Sequence, residues 1–191
     1  MLKITLATSN LDKVDEINLI AKDYDIEFVL PKGEFNPIEN GSNFIENAYC
    51  KAKYASLQGE TEFYLADDSG LCVDALNGEP GIYSARYAST PKERINKLLG
   101  AMDGIQNRDA QFICAMVLVN KKGDIVFKTE GKCLGSIMQK EKGTGGFGYD
   151  PIFFVKSLNK GMAELTKEQK ARVSHRSIAL NNVLNYLKEI F

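Results

Sequence analysis

Over the first 66 residues the apolar periodicity switches between two residues and 3.6, and this switching constrains the fold more than any other feature of the chain. Leu2, Ile4 and Leu6 alternate with Lys3 and Thr5, the pattern of a strand. Asn10 then offers a side-chain cap for a helix starting near Leu11, with Val14, Ile17, Ile20 and Ala21 on one face. Phe28 to Leu30 reads as a second short strand, followed by a Pro/Gly-rich loop through Gly41. Asn43 with Glu46 three positions later resembles a capping box and predicts a helix to about Leu57. Its apolar stripe is Phe44, Ala48, Ala52 and Ala55, and Gly59 sits past its end. Phe63 to Ala66 is another strand, which this reading stops at Asp67-Asp68-Ser69-Gly70.

The second half is richer in strands. Gly78, Pro80 and Gly81 mark turns, and Thr90-Pro91-Lys92-Glu93 combines a cap, Pro at the first helical position and Glu at the third for a helix to about Leu99. Phe112 to Val119, Ile125 to Thr129, Lys132 to Met138 and Ile152 to Val155 read as strands, the first two joined by a Lys-Lys-Gly-Asp turn. Thr166 with Gln169 suggests a short helix, and Leu180, Val183, Leu184 and Leu187 stripe a final one. Early alternation followed by a run of strands fits an α/β fold with a mixed central sheet flanked by helices. A length of 191 residues, without repeats or linkers, suits one domain or two small lobes sharing a sheet.

Composition excludes several classes of function. Lys plus Arg is 24 against 25 for Asp plus Glu, a net charge of −1, so nothing draws the chain generally to nucleic acid or an anionic membrane. No apolar run approaches a membrane span, and the first residues enter a strand pattern without the regions of a secretory signal, which predicts a cytoplasmic protein. Cys50, Cys72, Cys114 and Cys133 are scattered, never form C-x-x-C and read as reduced core thiols. With His175 the single histidine, a zinc site would need thiolates from distant segments.

Four stretches could carry chemistry. Thr8-Ser9-Asn10-Leu11-Asp12-Lys13 lies where a strand feeds a helix, so free N–H groups and the Lys13 charge suit a phosphate; an ordinary Asn cap with a solvent-facing lysine is the alternative. It is no Walker A loop, since the glycines and the Lys-Ser/Thr ending are missing. Asp67-Asp68-Ser69-Gly70 concentrates carboxylate for Mg²⁺ binding or for a general base, or else forms an Asx turn with a left-handed Gly. Gly143-Thr144-Gly145-Gly146-Phe147-Gly148 matches the letters of a dinucleotide loop, but the strand-like, Pro-containing Tyr149-Asp150-Pro151-Ile152-Phe153-Phe154 follows it where a helix is required. A flat base could still stack on Phe147, or Phe147 could be core. Near the C-terminus Lys170, Ser174, His175 and Arg176 offer donors, while Lys170 and Lys51 read by default as solvated helix charges.

Together these segments resemble the inosine/xanthosine triphosphate pyrophosphatases, hydrolases that remove non-standard purine nucleotides. The matching pieces are TSNLDK at Thr8 to Lys13, ENGSNFIENAYCKA at Glu39 to Ala52, ADDSGLCVDALNGEPGIYSARY at Ala66 to Tyr87, GTGGFGYDPIFF at Gly143 to Phe154, and the run from Lys170 to Arg176. They follow the family's order and span nearly the whole chain. Asn43 departs from the Thr common in the family but keeps a polar cap.

The resemblance implies one domain over residues 1–191, an elongated two-lobed α/β fold with its active-site cleft between lobes, Mg²⁺ dependence and usually a homodimer. The implied reaction converts a purine nucleoside triphosphate (ITP, dITP or XTP) to the monophosphate and pyrophosphate. By motif, Thr8, Ser9, Asn10 and Lys13 would hold phosphates with Lys51 close by, Glu39 and Asp68 would hold the metal, and Asp68 would accept the proton. Ser69 would contact substrate; Phe147, Gly148, Tyr149 and Asp150, with Lys170, His175 and Arg176, would form the nucleoside end. Donors from His175 and Arg176 would pair with the purine six-oxygen and oppose the amino group of adenine. Two rivals remain at this point: a serine hydrolase using Ser69 and His175, which lacks a G-x-S-x-G elbow, and a nucleotide-binding module without catalysis.

Overall fold

The computed structural model describes residues 1–59 and 61–191. Among them are strands β1 (Leu2–Leu6), β2 (Ile26–Val29), β3 (Phe63–Val73), β4 (Asp109–Asn120), β5 (Ile125–Ile137), β6 (Phe153–Val155) and β7 (Lys160–Gly161). The helices are α1 (Leu11–Ile20), α2 (Phe44–Ser56), α3 (Pro91–Ala101), α4 (Lys167–Val173) and α5 (His175–Ile190). The strands form one sheet in the order β2-β1-β3-β4-β5-β6-β7. β1 pairs in parallel with β2 and β3, whereas β6 pairs antiparallel with both β5 and β7, so the sheet is mixed. The chain divides into two compact units.

The first unit comprises Met1–Asp68, Cys114–Gly131 and His175–Phe191. Side chains alternate across a strand, so β3 and β4 here serve two cores. Ile4, Leu6, Phe63, Leu65, Met116 and Leu118 face α1 and α5, where Ile17, Leu180, Val183 and Leu184 meet them. The intervening residues Ala7, Tyr64, Ala66, Val117 and Val119 face α2 through Ala48, Ala52 and Ala55. Alanines at that helical spacing let α2 lie close to the sheet. Asn10 caps α1 by accepting from the Lys13 amide at 3.3 Å, as its position predicts.

The second unit comprises Ser69–Ile113 and Lys132–Ser174. Its core gathers Leu71, Val73, Leu98, Phe112, Ile137 and Phe153, with the Phe112 and Phe153 ring centroids 4.5 Å apart. Thr90 and Glu93 form the expected capping box of α3, and Thr166 and Gln169 that of α4.

Several expectations are corrected. β3 does not stop at Asp67 but continues to Val73, with Gly70 outside the left-handed region, so the acidic pair lies within a central strand and forms no turn. The two strands expected on either side of Glu130-Gly131 are one, β5. A Cβ on Gly131 would collide with the His175 carbonyl and the Ala179 amide of α5, so that glycine serves close packing and not a break. The Asn43–Glu46 box is only half formed. Asn43 accepts from the Glu46 amide at 2.9 Å, but the Glu46 carboxylate turns to the Ser42 amide at 2.7 Å and to Asn43 Nδ2 at 2.9 Å.

Candidate active site

From β1 the chain goes through α1 to β2 on one side and later returns through α2 to β3 on the other, which makes the carboxyl ends of β1 and β3 a topological switch point. The last β1–β3 pair is Leu6 with Leu65, and the Ala7 amide still reaches the Leu65 carbonyl at 2.7 Å. Beyond it β1 turns into the Thr8–Lys13 segment, while β3 runs on through Asp67 and Asp68. Thr8 Oγ1 accepts from the Asn10 amide at 3.1 Å, and Ser9 and Asn10 are exposed at the start of α1.

Because consecutive strand residues face opposite ways, the two aspartates meet different helices. Asp67 is fully enclosed: its Oδ2 lies 2.9 Å from Lys13 Nζ of α1 and 3.2 Å from Arg176 Nη2 of α5, and Arg176 Nη1 in turn engages Glu16 of α1. Burial alone would raise the Asp67 pKa, but Lys13, Arg176 and Lys51 outweigh it and hold the carboxyl far below the ordinary range. Asp68 faces α2. Its Oδ1 sits 3.2 Å from Lys51 Nζ, and its Oδ2 accepts from Asn47 Nδ2 at 3.3 Å. Here burial, reinforced by Glu39 and Asp67, prevails over the attraction of Lys51 and Lys13, so the Asp68 pKa is raised. Burial also works against the Lys51 charge, yet Asp68, Asp67 and Glu39 together raise its pKa and keep it protonated.

Glu39 joins this group through Lys51, whose Nζ is 3.7 Å from Glu39 Oε1. Asn47, wholly buried, accepts from the Gly41 amide at 2.8 Å and thereby ties the Glu39 loop to the same helix face that holds Asp68. A Cβ on Gly41 would overlap Asn47, so only glycine permits that approach. Two carboxylates converging on one cation form an all-oxygen donor pair, suited to a hard divalent ion that completes its shell with water and phosphate. Among the described residues no group of three or more His, Cys, Asp or Glu side chains could hold a metal by itself.

The second unit carries its own buried pair. Asp150 Oδ2 lies 2.6 Å from Lys170 Nζ and accepts from the Phe147 amide at 2.9 Å, while the Lys170 ammonium stands 4.7 Å from the Phe147 ring centroid. Gly146 and Gly148 have left-handed backbones, and a Cβ on Gly146 would strike the Asp150 carboxylate. Phe147 is half-buried and Tyr149 buried, its hydroxyl donating to the Ser84 carbonyl at 2.9 Å. Ser69 is half-buried in β3.

The Ham1 family profile matches residues 4–186. A dITP/XTP pyrophosphatase from Synechocystis is 42% identical over 182 residues, covering 95% of this chain and 93% of that protein. One from Treponema denticola is 44% identical, covering 98% and 99%. The solved structure of a Staphylococcus aureus Ham1 protein superposes with a TM-score of 0.88 at 38% identity over 99% of this chain and all of that one. The chain belongs to the Ham1 family.

Within this Ham1 chain the first unit brings together Lys13, Glu39, Lys51, Asp68 and the start of α1. Lys51 and Lys170, read by default as solvated, are both 7% exposed and ion-paired, with acids that lie 17 and 20 residues away in sequence. Lys13 is likewise turned inward on Asp67 and not toward solvent. Arg176, offered by the sequence as a donor to the purine, has a side chain 1% exposed with its terminal nitrogens on Glu16 and Asp67. His175 is buried beside it. The sequence offers Asp67 only together with Asp68, as carboxylate for Mg²⁺ or for a general base, and not as the partner of Lys13 and Arg176. It assigns no role to Glu16 or Asn47, which no local pattern marks.

Proposed function

We propose that this chain hydrolyses non-standard purine nucleoside triphosphates (ITP, dITP and XTP) to the monophosphate and pyrophosphate in the cytoplasm, with Mg²⁺, as a homodimer. The observation that carries the reading is Asp68 held between Lys51 and Asn47, with its pKa raised, beside an α1 start suited to phosphate. The dITP/XTP pyrophosphatases at 42% and 44% identity support the same chemistry.

Phosphoryl transfer needs placement and charge neutralisation more than a covalent nucleophile. Thr8, Ser9, Asn10 and the first amides of α1 would bind phosphate oxygens, with Lys13 and Lys51 countering their charge. Asp68 orients a water toward the α-phosphorus and takes its proton as the new P–O bond forms and the α–β bridge breaks. Pyrophosphate leaves, its charge met by the lysines. Glu39 and Asp68 would hold Mg²⁺, which when bound supplies further neutralisation of the phosphates. Ser69 is assigned to substrate contact. Phe147, Gly148, Tyr149 and Asp150, with Lys170, His175 and Arg176, are assigned to recognition of the nucleoside. Phe147 offers the stacking surface, while Asp150 and Lys170 fix the loop that presents it.

The test is a panel of ITP, dITP, XTP, ATP and GTP with Mg²⁺, resolving pyrophosphate from orthophosphate. Pyrophosphate and monophosphate from the six-oxo purines, with little turnover of ATP, is the expected result. Orthophosphate alone would point to another cleavage. Binding without release would favour a non-catalytic module, and activity that survives EDTA but not a serine-directed reagent would favour a Ser69 hydrolase. Light scattering reads the dimer.

A further inference from the structure

We propose that Asp67 is a positioning residue for the reaction, fixing where the Lys13 ammonium stands. The inference rests on the reading above that Lys13 meets the phosphates. A lysine in the first turn of a helix ordinarily samples many rotamers. Here the Lys13 side chain is 14% exposed, and its Nζ is held at 2.9 Å on a carboxylate whose own side chain is wholly buried. That carboxylate is itself immobilised, because Arg176 Nη2 approaches the same Oδ2 at 3.2 Å. The clamp closes on α1 again. Glu16, three residues after Lys13 and so on the same helix face, engages Arg176 Nη1. Two acids and two bases thus alternate, Lys13–Asp67–Arg176–Glu16, and α1 is tied to β3 both directly and through α5. A cation fixed before substrate arrives needs no reorganisation during reaction, the condition under which charge stabilises a transition state best.

Coupling to Lys13 separates positioning from a merely structural role. Asp67→Asn keeps the size and removes the charge. It is expected to lower kcat for ITP about 10- to 100-fold, with KM lowered because a released ammonium still attracts phosphate. In a Lys13→Met background the same substitution is expected to change kcat less than about twofold. Equal losses in both backgrounds, or an unchanged kcat in the first, would overturn the proposal. Should Asp67→Asn not fold, Glu16→Gln alters the same chain at a side chain 19% exposed. It is expected to cost roughly 3- to 10-fold in kcat, a loss that vanishes with Lys13→Met; a loss that persists there contradicts the proposal. Calorimetric binding of inorganic tripolyphosphate keeps this inference apart from the proposed function. Asp67→Asn should lower its Kd at least about threefold when Lys13 is present and change it negligibly in the Lys13→Met background, even if wild type releases no pyrophosphate from any nucleotide. The same shift in both backgrounds, or no binding by wild type, would refute the role.

Discussion

The two faces of β3 treat neighbouring aspartates in opposite ways. On the α1/α5 face Asp67 is sealed between two cations and its ionised form is strongly favoured. On the α2 face Asp68 has one lysine, a side-chain amide and a second acid nearby, and its ionised form is disfavoured. One residue of strand alternation separates a carboxyl held ionised from one whose ionised form is disfavoured. Environments that push paired acids apart in this way support the different roles proposed for them. Chemical identity alone could not.

The sharpest way to break the comparison is Asp68→Asn. Turnover of ITP is expected to fall about 10³-fold or more, a barrier increase of about 4 kcal/mol, while the melting transition stays close to wild type. Steady-state kinetics beside calorimetry reads both. Asp67→Asn should do the reverse to stability: breaking a buried ion pair costs about 3–5 kcal/mol at neutral pH, measured by urea unfolding without divalent ions. The sign of its pH dependence follows from the depressed folded pKa. The stabilisation is present above the unfolded value of about 4 and is lost as pH falls below it, so wild type and variant should converge in acid. Asn47→Ala, which frees both the Gly41 amide and Asp68 Oδ2, is expected to cost about 1–3 kcal/mol in the same unfolding experiment and to raise KM for the metal. The smallest effect concerns Cys114, 4.0 Å from Asp67, whose thiol is pushed up to about 12 by burial and by that carboxylate. It should resist a thiol-directed reagent at pH 8 in the folded protein and react only on unfolding; ready modification would mean that this face is open.

Local chemistry is legible in the sequence and distant pairing is not. The Asn10 cap and the Thr90 and Thr166 boxes depend on residues three apart, and all form as read. Ser69-Gly70 looks like a strand end because those residue types punctuate chains. In the structure, lysines from α1 and α2 and an arginine from α5 neutralise the acids before them, and the strand continues. Gly131 misleads for a related reason, since the requirement for glycine comes from α5, more than 40 residues later. The acids that bury Lys51 and Lys170 lie beyond any helical spacing, so no periodicity announces them.

The most direct test of the central claim, that water attacks at the α-phosphorus, is hydrolysis of ITP in ¹⁸O-enriched water with both products analysed by mass spectrometry. The account expects one labelled oxygen in the monophosphate and none in the pyrophosphate. Label in pyrophosphate or in orthophosphate would place the attack at another phosphorus and contradict it.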